Sequence, residues 1–260
     1  MLVDSHCHLE RLKLEGDDTL AAALERAKAR GVEQFLCVCV TLENFPKMMA
    51  AINDFDFVAA SCGVHPLDQK EAQDLNDLYA LSGDPKVVAI GETGLDYHYA
   101  PETAEVQKSS FRHHIQVARQ RQLPLIIHTR AAKEDTLAIL REEQAQEVAG
   151  VLHCFTEDLD MAEQAIELGF YISISGIVTF RNAEALRETV KALPLERLLV
   201  ETDSPYLAPV PHRGKSNEPQ YVREVAEFVA ELKGISVEEL AAITTANFYR
   251  CFPKAAALFQ

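Results

Sequence analysis

Two histidines, His6 and His8, follow Asp4 and Ser5 at the start of a 260-residue chain. In a strand, alternation sends both imidazoles to one face and Cys7 to the other. Their backbones then sit about 6.5–7 Å apart, near enough for two rings to meet one metal ion. Other apolar runs end in single polar residues of the same kind. His65 follows 57–62, Glu92 follows 86–90, His128 follows 123–127, His153 follows 150–152 and Asp203 follows 197–200. Any one of these is most simply an ordinary loop residue. Together, His6, His8, His128, His153, Glu92 and Asp203, with His65 in reserve, match the ligand count of a two-metal site. Such sites hold their ions about 3.5–4 Å apart and use them as electrophile and hydroxide source.

The intervening segments must bring these residues together. Apolar positions at helical spacing predict helices over 17–30 (Leu20, Ala23, Leu24, Ala27), 45–53, 71–81, 101–122 (Phe111, Ile115, Ala118), 133–144, 158–168 and 183–192. Continuous apolar runs over 34–40, 57–62, 86–90, 123–127, 150–152, 169–174 and 197–200 read as strands covered on both faces. With the strand at the start, that is strand and helix in strict alternation, without a linker. The pattern predicts an α/β fold, a TIM (β/α)8 barrel forming a single domain over 1–260. All strand C-termini of such a barrel lie on one rim, so the polar strand ends converge there. Two further helices are expected. One covers 218–233, capped by Ser216 or Asn217, and the other covers 240–249 after a Ser236/Glu239 capping box. The proline- and cation-rich stretch 204–217 is expected to cover the barrel mouth.

The net charge of −15 argues against a broad phosphate-gripping surface, which would be basic. It leaves room for a strand end or a small phosphoester held by local cations. No apolar run approaches the ~18 residues of a membrane span. Six scattered cysteines and the absence of a leader pattern predict a cytoplasmic protein with reduced thiols.

Asp4-Ser-His6-Cys-His8, Gly63-Val-His65-Pro66, Gly91-Glu92-Thr-Gly-Leu-Asp96, Ile127-His128-Thr-Arg130, Leu152-His153-Cys-Phe155 and Glu201-Thr-Asp203-Ser-Pro205 together resemble the TatD family of metal-dependent deoxyribonucleases. Residues 152–156, 175–182 and 209–214 resemble its YcfH-like branch. The resemblance implies a hydrolase barrel of the amidohydrolase superfamily with two divalent metal ions. His6, His8 and Asp203 would take one ion, His128 and His153 the other, and Glu92 would bridge them. Zinc, magnesium or manganese is implied by kinship, whereas an imidazole-rich ligand set by itself suits zinc, nickel or iron better than magnesium.

The expected reaction is phosphodiester hydrolysis, with a DNA strand end or a small phosphoester as partner and no obligate protein partner. Asp203 is the candidate to orient the attacking water and take its proton. Arg130 is a candidate phosphate clamp, and His65 a hydrogen-bond partner for substrate or leaving group. Arg181, His212, Arg213 and Lys215 are candidate cations of a phosphate pocket after the last strands. Asp4 and Glu201 are candidates to orient the histidines, and Asp96 and Tyr97 could reach substrate. The alternatives are a metal-dependent amidohydrolase or esterase for a small molecule, and a barrel that binds without catalysis.

Overall fold

The computed structural model describes residues 1–69 and 75–259. Strands and helices alternate along it: β1 (Leu2–Cys7), α1 (Leu20–Lys28), β2 (Val32–Cys37), α2 (Phe45–Ile52), β3 (Val58–Cys62), α3 (Leu75–Leu81), β4 (Val87–Asp96), α4 (Ala104–Arg121), β5 (Leu125–Arg130), α5 (Lys133–Glu142), β6 (Gly150–Leu152), α6 (Leu159–Glu167), β7 (Tyr171–Ile174), α7 (Glu184–Ala192), β8 (Leu198–Val200), then α8 (Val222–Lys233), α9 (Val237–Cys251) and α10 (Pro253–Leu258). The strands form one parallel sheet in the order β1 to β8. Beyond the strand ends, the Asp203 N–H donates to the His6 carbonyl at 2.9 Å and the His8 N–H to the Ser204 carbonyl at 2.8 Å. These bonds close the barrel where its polar residues gather.

Alternation along each strand sorts its apolar side chains into two cores. Val3, Leu36, Ala59, Val88, Ile126, Val151, Tyr171 and Leu199 form one cluster with Phe248 of α9 and Phe252 at the junction of α9 and α10. Their sequence neighbours, such as Leu2, Phe35, Val58, Val87, Leu125, Leu152, Ile172 and Leu198, pack into the other with residues of the surrounding helices. Phe248 and Phe252 are fully buried, which removes each ring from water at a gain of roughly 1.5–3 kcal/mol.

Several boundaries differ from the sequence expectation. β4 continues from the expected 86–90 through Asp96, and β5 begins at Leu125 and ends at Arg130. Glu92, Asp96 and His128 therefore stand within strands instead of in the loops beyond them. β4 and β5 run so close that a Cβ on Gly94, at φ +132°, would lie 2.0 Å from the His128 carbonyl oxygen. The residue there has to be glycine. α8 starts at Val222 with no side-chain cap, because Asn217 is engaged elsewhere. Its amide donates to the carbonyls of Thr202, at 2.8 Å, and Tyr206, at 2.6 Å. Ser236 does cap α9, accepting from the Glu239 N–H at 3.1 Å. α10 had no sequence signal beyond Pro253. The first residues of the helix expected over 71–81 lie outside the described residues, and the rest is α3.

α4 has a buried stripe that carries polar residues as well as Phe111, Ile115 and Ala118. The His114 ring donates from Nδ1 to the Ser110 carbonyl at 2.7 Å and accepts at Nε2 from the Val64 N–H at 3.0 Å. Burial pushes its pKa down to about 4, so it is a neutral linker between α4 and the segment after β3. A depressed histidine pKa makes the unfolded chain bind the proton first as pH falls below 6.5. The stability advantage of the wild type over His114→Gln should therefore shrink by about 2 kcal/mol between pH 7 and pH 5. Urea unfolding of both proteins across that range checks it; a gap that stays constant would show that His114 is not held neutral.

Candidate metal centre

Each polar residue reaches the mouth by its own local route. β1 has a register irregularity between Asp4 and Cys7. The Ser5 hydroxyl turns toward Ser173, at 3.1 Å, and donates to the Val200 carbonyl at 3.0 Å. Within and just past the irregularity His6 and His8 aim at the centre, while Cys7 packs outward with its thiol on the Leu36 carbonyl at 3.4 Å. Asp4 sits beneath them. Its carboxyl accepts from the Thr202 N–H at 2.8 Å and hydroxyl at 2.6 Å and from the His6 N–H at 3.4 Å, and burial pushes its pKa up to about 8. It ties together the strand ends that carry His6 and Asp203.

Glu92 occupies the middle. Its Oε1 lies 2.7 Å from His153 Nε2, 3.2 Å from His65 Nε2 and 3.4 Å from His128 Nδ1. Its Oε2 faces the other way, 3.4 Å from His6 Nε2. Asp203 Oδ1 lies 3.3 Å from His8 Nε2 and 3.6 Å from His6 Nε2, and those two ring nitrogens are 3.3 Å apart. Ligand atoms thus gather in three groups: His6, His8 and Asp203; His65, Glu92 and His128; and His6, His153 and Glu201.

The outer nitrogens decide what the inner ones offer. His8 donates from Nδ1 to the Val38 carbonyl at 2.9 Å, His128 from Nε2 to Asp96 at 2.9 Å and His153 from Nδ1 to Glu201 at 3.3 Å. With those protons placed, His8 Nε2, His128 Nδ1 and His153 Nε2 carry lone pairs directed inward. Each of these inner nitrogens faces a carboxylate oxygen across 2.7 to 3.4 Å, so a proton or a cation has to lie between the two. His6 Nδ1 and Glu201 Oε2 are also buried without a hydrogen-bond partner. The donor set of imidazole nitrogens and carboxylate oxygens fits divalent metal ions.

Burial opposes charge on Glu92, but His153, His65 and His128 outweigh it and hold the carboxyl well below its usual range. Burial likewise works against Asp203, and there His8 and His6 prevail. Both acids are ionised, as metal ligands would have to be.

These groups form the floor of a cavity of about 320 Å³. Arg11 and Arg130 supply its cations, and Leu67, Ile177, Tyr206 and Leu207 its apolar wall. The Arg130 guanidinium lies 5.0 Å over the ring of Tyr99. All four expected phosphate-pocket cations stand elsewhere. His212 bonds Glu224 of α8 at 2.9 Å and stacks on Tyr221. Arg213 lies 3.8 Å over Phe180 and donates to the Ala208 carbonyl at 2.9 Å. Arg181 is exposed outside the cavity wall, as is Lys215. The physical reason is local pairing: Glu224 and Tyr221 hold His212, Phe180 and the Ala208 carbonyl hold Arg213, and of the 204–217 loop Tyr206 and Leu207 line the mouth. Tyr97 also turns away, its hydroxyl donating to Asp135 at 2.7 Å. Arg11 was the cation that sequence reasoning passed over; its only signal is its place three residues after His8.

Removing an outer partner should loosen the inner ligand. Asp96→Ala frees His128 to rotate and is expected to weaken metal retention by roughly 10- to 100-fold. Competition against a chelating dye measures this, with circular dichroism confirming the fold; unaltered retention would mean that Asp96 does not orient His128.

The TatD related DNase family model matches residues 3–253. The chain is 57% identical over 256 residues to an Escherichia coli (strain K12) protein named as an uncharacterized metal-dependent hydrolase, YcfH, covering 96% of this chain and 95% of that one. It is 45% identical over 254 residues to the Bacillus subtilis (strain 168) protein of the same description, YabD, covering 97% and 99%. The crystal structure of YJJV, a TatD homologue from Escherichia coli k12, superposes with a TM-score of 0.90 at 30% identity, covering 97% and 98%. With its parallel barrel and its imidazole- and carboxylate-lined mouth, this chain is a metal-dependent hydrolase belonging to the TatD family.

Proposed function

We propose that the protein is a dinuclear phosphodiesterase that removes nucleotides from the end of a DNA strand. The observation that carries the reading is the orientation of Glu92, whose two oxygens face different ligand groups. A carboxylate placed this way can bridge two cations, one held by His6, His8 and Asp203 and one by His128 and His153. When bound, such ions offset phosphate charge and lower the pKa of a water. The chain's own residues do the rest. Asp203, held ionised and with 14% of its side chain exposed, accepts the proton of the attacking water and orients it. Arg130 and Arg11 bind the phosphate at the rim. Tyr206 and Tyr99, 47% and 62% exposed, offer faces on which bases can stack.

Cavity size and charge favour a strand end over an internal duplex site. The cavity takes about one nucleotide, and a body of net charge −15 repels a long polyanion everywhere but the rim. The same features support a second reading, hydrolysis of a small ester or amide at the same centre. End-labelled single-stranded oligonucleotides, metal-stripped protein and separate additions of zinc, manganese and magnesium distinguish the two. Stepwise loss of nucleotides is expected. Turnover of small esters or amides with no nucleotide release under any of the metals would replace the first reading with the second.

Within the nuclease reading, Asp203→Asn should lower kcat by at least roughly 100-fold. Arg130→Ala should raise KM about tenfold with a smaller effect on kcat, and the difference should fade as salt rises. An Arg130 variant whose KM and salt dependence match the wild type would remove that residue from substrate binding.

A further inference from the structure

His65 stands beside the ligands, and distance alone would count it among them. We infer that it is instead a hydrogen-bond donor, pointing Nε2–H into the cavity toward substrate oxygen and binding no metal. The identity of that oxygen rests on the phosphodiester reading; the donor assignment does not.

The tautomer is set by the turn that follows. His65 precedes the short helical turn Pro66–Asp68, and its Nδ1 accepts from the Leu67 N–H at 3.1 Å. A ring nitrogen that accepts has a lone pair there, so the ring's proton lies on Nε2. This is the reverse of its neighbours. His8, His128 and His153 each give their outer proton to an oxygen and keep an inner lone pair. His65 spends its lone pair outward and keeps its proton inward.

The inner surroundings agree. His65 Nε2 lies 3.2 Å from Glu92 Oε1 and 3.3 Å from His128 Nδ1, both acceptors. To become a ligand, His65 would have to move its proton to Nδ1, directly against the Leu67 N–H. That would leave a main-chain donor unpaired at the start of a turn. The same occupancy of Nδ1 suits the ring to donating a hydrogen bond and not to passing on a proton. The backbone before it is anchored too, by the Val64 N–H bond to His114 and by the His65 N–H bond to the Val40 carbonyl at 2.9 Å. When cations engage Glu92 and His128, the His65 N–H is left facing the cavity beside them. On the phosphodiester reading it bonds the leaving-group oxygen or a nonbridging oxygen as charge develops there.

Three measurements on the full chain test this. Nitrogen-15 spectra of the metal-free and the zinc-loaded protein should both show His65 protonated at Nε2 and unprotonated at Nδ1. His65→Ala and His65→Asn should keep the wild-type zinc content by elemental analysis. On oligonucleotide, His65→Ala should lose roughly 100- to 1000-fold in kcat/KM, with partial recovery in His65→Asn, whose amide can still donate. Disappearance of the Nε2 proton on zinc loading, or lower zinc content in the folded Asn variant, would overturn the inference. If the wild type releases no nucleotides, the phosphodiester reading fails while the spectra and zinc content still decide the role of His65.

Discussion

A carboxylate buried to 2% of its side-chain surface needs partners, since an unpaired buried charge costs several kcal/mol. Glu92 is that carboxylate. Its charge holds His153, His65, His128 and His6 within 3.4 Å, and these come from four different strands or strand ends. The backbone beneath it is equally constrained. The Ser61 hydroxyl donates to the Gly91 carbonyl at 2.6 Å, and a Cβ on Gly63 would come within 2.5 Å of the Gly91 carbonyl carbon. Only a backbone without a side chain at Gly63 lets the end of β3 lie so close to β4, and a Cβ on Gly91 would come within 2.6 Å of the Ile126 carbonyl oxygen of β5. The barrel is thus shaped to deliver one acid to one place.

Support also comes from outside the strands. Gln107 of α4 accepts from the Asp96 N–H at 2.7 Å and donates to the Asp96 carbonyl at 3.1 Å. His114 reaches Val64 from the same helix. One outer helix therefore braces both the end of β4 and the segment leading to His65. Both residues lie on the buried stripe with Phe111 and Ala118, where a polar side chain has to find a specific partner.

Much of this was legible in the chain itself. The alternation of apolar runs with amphipathic stretches gave the barrel, and His6, His8, Glu92, His128, His153 and Asp203 meet where that alternation sends them. What periodicity could not convey was local departure from it. The irregularity in β1 re-aims His6 and His8, and β4 and β5 run past their expected ends because Gly91 and Gly94 permit a close approach. Charge by itself also misled. His212 and Arg213 look like a phosphate pocket in the sequence, but Glu224 and Phe180 hold them on the flank of the barrel, while Arg11 does reach the mouth. Gln107 and His114 could have been found by asking why polar residues recur on an apolar stripe.

Asp96 has two oxygens with separate duties. Oδ2 takes the His128 N–H, and Oδ1 takes the main-chain N–H groups of His98 at 3.0 Å and Tyr99 at 2.8 Å. The inner imidazole and the aromatic corner of the entrance therefore share a hinge pin and cannot be redesigned separately from that side. The opposite wall is held by its main chain: the Tyr206 N–H donates to the Asp203 carbonyl at 2.9 Å and the Asn217 amide to the Tyr206 carbonyl at 2.6 Å, so exchanging the Tyr206 or Leu207 side chain leaves these bonds in place. An engineer seeking altered selectivity would graft changes there and leave the β4 corner alone.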